Sequence, residues 1–437
     1  MNLASPLSRG GATLLSALLL AAPALACDAD NGGIALPAGF CATVFADEVG
    51  RARRLVAAPN GVVYVANQNS GGDGIVALQD VDGDGRADRR ASFAAPGGGG
   101  LGLRGGWLYY GLDDRIVRYA LPPKGRLVPA AKAEVVVSGF PSQRQHATKT
   151  FAFDGEGHLY VNVGAPSNAC QREMRQAGSP GLDPCPQLER QAGIWRFSAD
   201  RLGQTQQRDG ERYASGIRNA VAITWDDAGD RLYVVQHGRD QLAELWPKSF
   251  TDAQRAELPA EELFAVAQGD DFGWPYCYYD PMARSKRLSP EYGGDGKAVG
   301  RCEDAVSPVV AFPAHWAPND IVFYHGEQFP PAYRGGAFVA FHGSWNRQPF
   351  EQKGFRVTFV AGQEAGLAST YDDFATGFVG RQGITSPGQA RHRPAGLAVD
   401  AEGALYIADS NGGRIWRVTY AAAGASAAVA RDSEGSR

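Results

Sequence analysis

Short apolar runs led in by a turn punctuate the chain, and one pattern, Gly-x-hydrophobic-Tyr-hydrophobic or a close variant, recurs six times. The copies are Gly61-Val62-Val63-Tyr64-Val65, Gly106-Trp107-Leu108-Tyr109-Tyr110, Gly157-His158-Leu159-Tyr160-Val161, Asp230-Arg231-Leu232-Tyr233-Val234, Gly336-Ala337-Phe338-Val339-Ala340 and Gly403-Ala404-Leu405-Tyr406-Ile407. Glycine tolerates positive φ and so reverses the chain cheaply, while the β-branched and aromatic residues that follow suit a pleated, half-buried strand. A partner strand is readable after two copies, at Arg115-Ile116-Val117-Arg118-Tyr119 and Arg414-Ile415-Trp416-Arg417-Val418. One such hairpin cannot cover its own faces, whereas sheets packed around an axis can, so the pattern predicts an all-β, six-bladed β-propeller.

The copies are about 45 residues apart at first and more than 100 apart between the fourth and fifth, which predicts long loop insertions rather than further blades. Residues 165–210 are polar and rich in Gly, Pro and Gln; residues 276–318 are aromatic and charged. Between them, Ser249-Phe250-Thr251-Asp252-Ala253-Gln254 and Pro259-Ala260-Glu261-Glu262-Leu263 read as short capped helices. Loops at one mouth of a propeller are where chemistry is expected.

Composition narrows the picture. A propeller grows around its axis, so 437 residues fit one large domain, and 56 glycines and 26 prolines suit a turn-rich β chain. A net charge of −4 supplies no basic field for nucleic acid. Residues 1–26 read as a signal peptide: Arg9 precedes an apolar run, and Ala24-Leu25-Ala26 suits cleavage. That run is too short for a transmembrane span, so the expected location is periplasmic or secreted, with a lipid anchor at Cys27 as the alternative to a disulfide there. The propeller is expected over 27–420, followed by a disordered Ala/Ser-rich tail over 421–437. Cys27, Cys41, Cys170, Cys185, Cys277 and Cys302 fall into three local pairs, as in an exported disulfide set, though sequence alone leaves the connectivity open.

Candidate chemistry is sparse. No phosphate-binding glycine loop, nucleophile elbow or paired-histidine metal spacing occurs, which disfavours nucleotide cofactors. The loop Asp80-Val81-Asp82-Gly83-Asp84-Gly85-Arg86-Ala87-Asp88 alternates carboxylates about a glycine bend and is a candidate Ca²⁺ loop through Asp80, Asp82, Asp84 and Asp88, without the closing Glu of an EF-hand. Of seven histidines, His158 and His325 sit in turns, while His237, His315 and His342 lie in loop sequence suited to lining a pocket. His146 precedes the strand Phe151-Ala152-Phe153, which places it at a loop end near the axis as a candidate base.

Six motifs in order carry a resemblance. They are His146 with Phe151 to Val161; Gly216-Ile217-Arg218-Asn219; His237-Gly238-Arg239-Asp240; Asp271-Phe272-Gly273-Trp274-Pro275; Phe329-Pro330-Pro331-Ala332-Tyr333-Arg334-Gly335; and Arg391-His392-Arg393. From about Leu36 to Tyr420 the chain resembles the soluble pyrroloquinoline quinone (PQQ)-dependent sugar dehydrogenases, the glucose/sorbosone dehydrogenase family, in its sorbosone-dehydrogenase-like branch. The resemblance implies oxidation of a sugar, sugar aldehyde or polyol by hydride transfer to PQQ, with His146 as general base and a quinone or cytochrome as electron acceptor. It further implies that Arg218 faces the reactive quinone oxygen beside Asn219, that Arg391 and Arg393 hold PQQ carboxylates, and that Gly238 and Arg239 offer carbonyls to Ca²⁺. Arg pairs bidentately with carboxylates, which suits a tricarboxylate cofactor, and alternation on an extended segment would put Arg391 and Arg393 on one face.

There are departures from the family pattern. Gly98-Gly99-Gly100-Leu101-Gly102 replaces a glutamine-led stretch, Ala165 stands where an acid is usual, and Arg239 stands where a proline is. The lysine expected after the fifth-blade strand is absent from Phe341-His342-Gly343-Ser344-Trp345-Asn346-Arg347, leaving Asn346 or Arg347 in its place. Aromatics at Trp274, Tyr276, Tyr278, Tyr279 and Trp316 are candidates for stacking on sugar faces. Two rival readings are a non-catalytic carbohydrate- or ligand-binding propeller and a Ca²⁺-dependent lactonase, which would want a carboxylate cluster on the axis.

Overall fold

The computed structural model describes residue 1 and residues 27–68 and 72–421; the expected signal peptide and all but the first residue of the expected tail lie outside them. Six four-stranded antiparallel sheets form the six blades of a β-propeller. The first blade is Ala52–Ala57, Val62–Asn67, Ile75–Gln79 and Arg89–Phe93; the second is Gly100–Arg104, Trp107–Gly111, Ile116–Ala120 and Glu134–Ser138, with Gln204–Thr205 added in parallel. The third is Phe151–Phe153, His158–Val163, Gly193–Ser198 and Glu211–Ser215, and the fourth is Ala222–Asp226, Arg231–Gln236, Glu261–Val266 and Val310–Phe312. The fifth is Pro318–Phe323, Ala337–Phe341, Arg356–Val360 and Asp372–Ala375. The sixth joins Pro394–Val399, Leu405–Asp409 and Ile415–Tyr420 to the N-terminal strand Phe40–Ala46, which pairs Phe40 with Tyr420 and so closes the ring.

Each copy of the sequence repeat forms the second strand of its blade. The reason is burial: these strands are flanked within the sheet and covered on both faces by neighbouring blades, so Tyr64, Tyr109, Phe338 and Ile407 are fully enclosed. Burying a side chain of the size of Phe338 is worth about 1.5–3 kcal/mol. The expected helix at Ser249 to Gln254 forms as Asp252–Glu257, capped by Thr251 and Gln254 in a reciprocal box. The second expected helix does not form. Glu261–Val266 is instead the third strand of the fourth blade, because pairing with Leu232–Gln236 buries Leu263 and Phe264 between blades, and that outweighs local helix propensity.

Disulfides join Cys27 to Cys41, Cys170 to Cys185 and Cys277 to Cys302, the sequential pairing. Cys27 thereby spends the thiol that a lipid anchor needs. No helix among the described residues is long and apolar enough to cross a membrane.

Alternation of strand direction decides what lies where. Loops joining second to third strands, and connections from one blade to the next, all emerge at one end of the axis, here called the upper end; first-to-second hairpins and third-to-fourth loops emerge at the lower end. At the lower end a vestibule of about 460 Å³ is lined by inner-strand residues of all six blades. Arg54 of the first blade crosses the axis to Asp320 of the fifth, with Nε 3.1 Å from the carboxylate, and donates to the Ile223 carbonyl of the fourth at 3.1 Å. Asp320 also accepts from the Leu397 amide of the sixth blade at 3.0 Å, so this buried pair ties four blades together.

Candidate active site

A second cavity, of about 240 Å³, opens at the upper end, and its walls come from upper loops, blade connections and the upper end of the strand that starts at Glu261. His146, Arg218, Gly238, Asp240, Glu261, His342, Asn346 and Arg393 all contribute to it, from the third, fourth, fifth and sixth blades. Residues remote in sequence are therefore gathered by strand alternation alone.

His146 adopts φ +52° and is half-buried. Its Nδ1 lies 2.6 Å from the Ala165 carbonyl, an atom that can only accept, so Nδ1 carries the proton and Nε2 keeps its lone pair. Ala165 thus does with its backbone what an acidic side chain would do with a carboxylate. Burial, and then the Arg218 guanidinium, push the imidazole down to about 3, which keeps it neutral, with Nε2 unprotonated, at physiological pH. The Gln143 side-chain amide fastens the loop by donating to the carbonyls of Gln145, His146 and Gly164. Gly164 must be glycine: a Cβ there would fall 2.6 Å from the His146 Cβ and 2.7 Å from Asn219 Oδ1.

Arg218 is 3% exposed and held through its Nε and Nη2. Its guanidinium donates to the Asn168 carbonyl and side chain at 3.2 and 3.1 Å and to Asp240 at 2.9 Å. Asp240 also takes Arg175 at 3.1 Å and the Asn346 amide, so it is the hub that orients Arg218 and Asn346 together. Burial opposes its charge, but Arg218 and Arg175 hold the Asp240 carboxyl well below the usual carboxylate range. Asn219 is buried beside Asn162 at 3.3 Å and lies behind the cavity wall.

Three further histidines line the cavity. His237 donates to the Pro318 carbonyl at 2.5 Å and is pushed down to about 4 by burial; His315 donates to the Arg255 carbonyl at 2.8 Å. His342 is half-buried, and its buried Nδ1 lacks any partner among the described residues. Glu261 is 3% exposed and accepts only backbone amides, Gly238 at 2.8 Å and Ala317 at 3.0 Å, and burial pushes its carboxyl up to about 7.

Arg393 donates to the carbonyls of His342 and Gly343 at 2.8 and 2.7 Å, which fixes its guanidinium on the cavity wall. Nearby, Arg53 has no ion pair among the described residues; burial and the charges of Arg393 and Arg51 push it down to about 10. Asp409 offsets part of the charge on Arg393, and a buried cation such as Arg53 is costly unless an anion joins it.

Several sequence expectations need correction. Arg391 does not share a face with Arg393: the strand begins only at Pro394, and His392 between them turns inward to Asp409 at 2.7 Å and to Trp416. Arg391 is left exposed, packed over Gly380. Arg347 points away from the cavity to Ala256, Glu257 and the Glu351 carbonyl, so Asn346 alone occupies the position of the missing lysine. The Arg239 side chain is buried in an ion pair with Glu291 and lines a side pocket, which leaves the expectation for its backbone carbonyl as it was. The Asp-rich loop lies at the lower end, remote from the cavity. Asp80, Asp82 and Asp88 cluster there, but Asp84 is not in the group; its carboxylate instead caps the Arg86 amide. Trp274, Tyr278 and Trp316 are buried in packing, not free to stack on a ligand.

Arg53, Asp240 and Glu261 were not singled out from the sequence as site residues. A signal for Arg53 existed: Arg51-Ala52-Arg53 repeats, at the start of the neighbouring blade's inner strand, the Arg-x-Arg spacing of Arg391-His392-Arg393. Asp240 closes a motif already noted, whereas Glu261 was hidden by the mistaken helix.

The chain is similar to known proteins in sequence and in fold. A pyranose dehydrogenase from Coprinopsis cinerea named as PQQ-dependent is 28% identical over 278 residues, covering 55% of this chain and 36% of that protein. An uncharacterised Borreliella burgdorferi protein is 27% identical over 212 residues, 48% of this chain and 49% of its own length; the chain thus spans half or less of these curated relatives. Among solved structures, the holo PQQ domain of the Coprinopsis pyranose dehydrogenase superposes with TM-score 0.70 at 20% identity, over 88% of this chain and 97% of that one. A calcium structure of a Trichoderma reesei carbohydrate-active enzyme of family AA12 gives 0.72 at 18% identity, over 89% and 97%, and the fold is shared. The TrAA12-like family model matches residues 34–421, nearly the whole propeller, and with its motifs resembling PQQ-dependent sugar dehydrogenases the chain belongs to the TrAA12-like family.

Proposed function

We propose that this chain is an exported PQQ-dependent dehydrogenase that oxidises a sugar, sugar aldehyde or polyol. One observation carries the reading: His146 with its proton on Nδ1, an oriented Arg218 and Arg393 line one cavity, and Arg53, which has no ion pair among the described residues, lies close enough to Arg393 to feel its charge. The residues fit a flat tricarboxylate, since Arg53, with no ion pair among the described residues, and Arg393 supply positive charge, and His342 Nδ1 supplies a buried polar atom without a partner among the described residues. When bound, PQQ supplies the hydride-accepting centre.

The protein's part is then orientation and proton handling. His146 Nε2 removes the proton of the substrate hydroxyl, a contribution of about 10²–10⁴ in rate. Arg218, clamped by Asp240 and Asn168, directs fixed positive charge at the place where negative charge develops, worth about 10²–10³. Ca²⁺ is assigned to the carbonyls of Gly238 and Arg239 next to Glu261, an all-oxygen set of the kind it prefers. The named relatives, a PQQ-dependent pyranose dehydrogenase and a calcium-containing family AA12 structure, support both groups. Electrons then pass to a quinone or cytochrome, and three disulfides support an oxidising compartment, periplasmic or extracellular.

The test is reconstitution. Purified protein given PQQ and Ca²⁺ is expected to reduce a dye in the presence of aldoses, sorbosone or polyols; PQQ binding without turnover points to a binding propeller, and lactone cleavage to a hydrolase. Both clusters of metal-ligating side chains found among the described residues, Asp80/Asp82/Asp88 and Asp154/Glu156/His158, lie at the lower end, away from the cavity that holds His146.

A further inference from the structure

Trp345 is 45% exposed and Phe350 43%, and they are the two open aromatic side chains among the described residues. Both stand on the upper loop that follows Ala337–Phe341. That loop is held from within: Asn346 is bonded to Asp240 in the cavity, Arg347 to Glu257 at 2.6 Å, and the Phe350 amide to the Arg347 carbonyl at 2.8 Å. An indole left in water by a pinned loop is a built feature, because large apolar side chains are otherwise driven to cover.

Trp345 also stands at a junction. It lines the cavity that holds His146 and, on its other side, an adjoining groove of about 600 Å³. The groove continues past Gln348, Pro349 and Thr385 on one wall and Glu244 and Asp252 on the other. Arg255 pairs with both carboxylates, and the Gln348 amide donates to the Thr385 carbonyl at 3.1 Å, so these polar groups are fixed while keeping spare lone pairs toward the groove. A flat apolar ring flanked by fixed carboxylate and amide acceptors matches one ligand chemistry: a pyranose, apolar on its C–H face and hydroxylated at its edge. The two acids disfavour an anionic occupant.

We propose that the groove is a second saccharide subsite with Trp345 as the platform between the two, so that the preferred substrate is a neutral di- or oligosaccharide whose terminal ring enters the cavity. This rests on the sugar-oxidising reading given above. Ring stacking on Trp345 is expected to improve the disaccharide over the monosaccharide by about 5- to 10-fold.

The experiment compares glucose with its α- and β-1,4-linked dimers and trimers, by kcat/KM in the PQQ- and Ca²⁺-loaded protein and by Kd from tryptophan fluorescence in the cofactor-free protein. The proposal expects at least one series to rise from one ring to two, and the rise to vanish in Trp345→Ala and shrink in Gln348→Ala. Equal values for one, two and three rings in both series overturn it, as does a length dependence that survives Trp345→Ala. Length-dependent binding without dye reduction upholds the groove and overturns the redox reading. Dye reduction without length dependence does the reverse. If Trp345→Ala is poorly folded, Gln348→Ala and the wild-type series still decide.

Discussion

Arg53 and Arg54 are consecutive residues at the start of one inner strand, yet they serve opposite ends of the axis. Arg54 turns to Asp320 and ties four blades together, its charge answered within the protein. Arg53 faces Arg393 and Arg51 and is pushed down to about 10 by burial and by those cations. At the lower end the axial charge is answered within the protein, whereas at the upper end Arg53 has no ion pair among the described residues. In a ring of near-identical blades, this difference separates the face proposed to do chemistry from the face that holds the ring together.

The comparison can be broken in several places. His146→Ala is expected to lower kcat by about 10²–10⁴ while PQQ retention, read by equilibrium dialysis, persists; unchanged turnover would move the base elsewhere. Arg54→Leu strands the Asp320 carboxylate and should cost about 3–5 kcal/mol in urea unfolding. Arg53→Leu should leave unfolding nearly unaltered and weaken PQQ about 10- to 100-fold, the worth of a charged hydrogen bond. Equal stability losses in the two variants would erase the distinction between the two ends.

Protonation sharpens the comparison further. His146 at about 3 and His237 at about 4 lie below the unfolded imidazole value, so unfolding takes up protons: their support for the fold is complete above about pH 6.5 and is lost as pH falls toward those values. Glu261, raised to about 7, has the opposite sign, favouring the fold below about pH 4.5 and losing that support as pH rises through 7. NMR of the cofactor-free protein is expected to find both imidazoles neutral at pH 5.5, and His237→Gln to flatten the acid side of the Tm profile. The smallest effect belongs to the lower end: if the Asp-rich loop takes Ca²⁺, Asp80→Asn should remove a Ca²⁺-dependent gain in Tm, whereas Asp84→Asn, outside the cluster, should stay within about 0.5 kcal/mol of wild type.

Periodicity carried the scaffold because a buried second strand needs the same residues in each blade, and the copy at Ala337 was readable even with valine in the tyrosine position. His146, Arg218, Gly238, Asn346 and Arg393 were reachable because their motifs are local. Arg391 misled because two-residue alternation holds only inside a strand, and the strand starts three residues later. Glu261 was hidden for the converse reason: a sequence with good helix propensity was recruited as a strand by its neighbours. Trp345 passed unremarked because exposure is a property of the assembled loops, whereas the aromatics that looked available, Trp274 and Trp316, are buried by them.

The sixth blade borrows its outer strand from the beginning of the chain, pairing Phe40–Ala46 with Ile415–Tyr420. Arg53 follows that strand and Arg393 opens the same blade, so the two cations meet where the ring closes. A propeller open at that join lacks both the circle and the pairing of these two arginines. On the function proposed above, loading of the quinone then reports that the circle has shut.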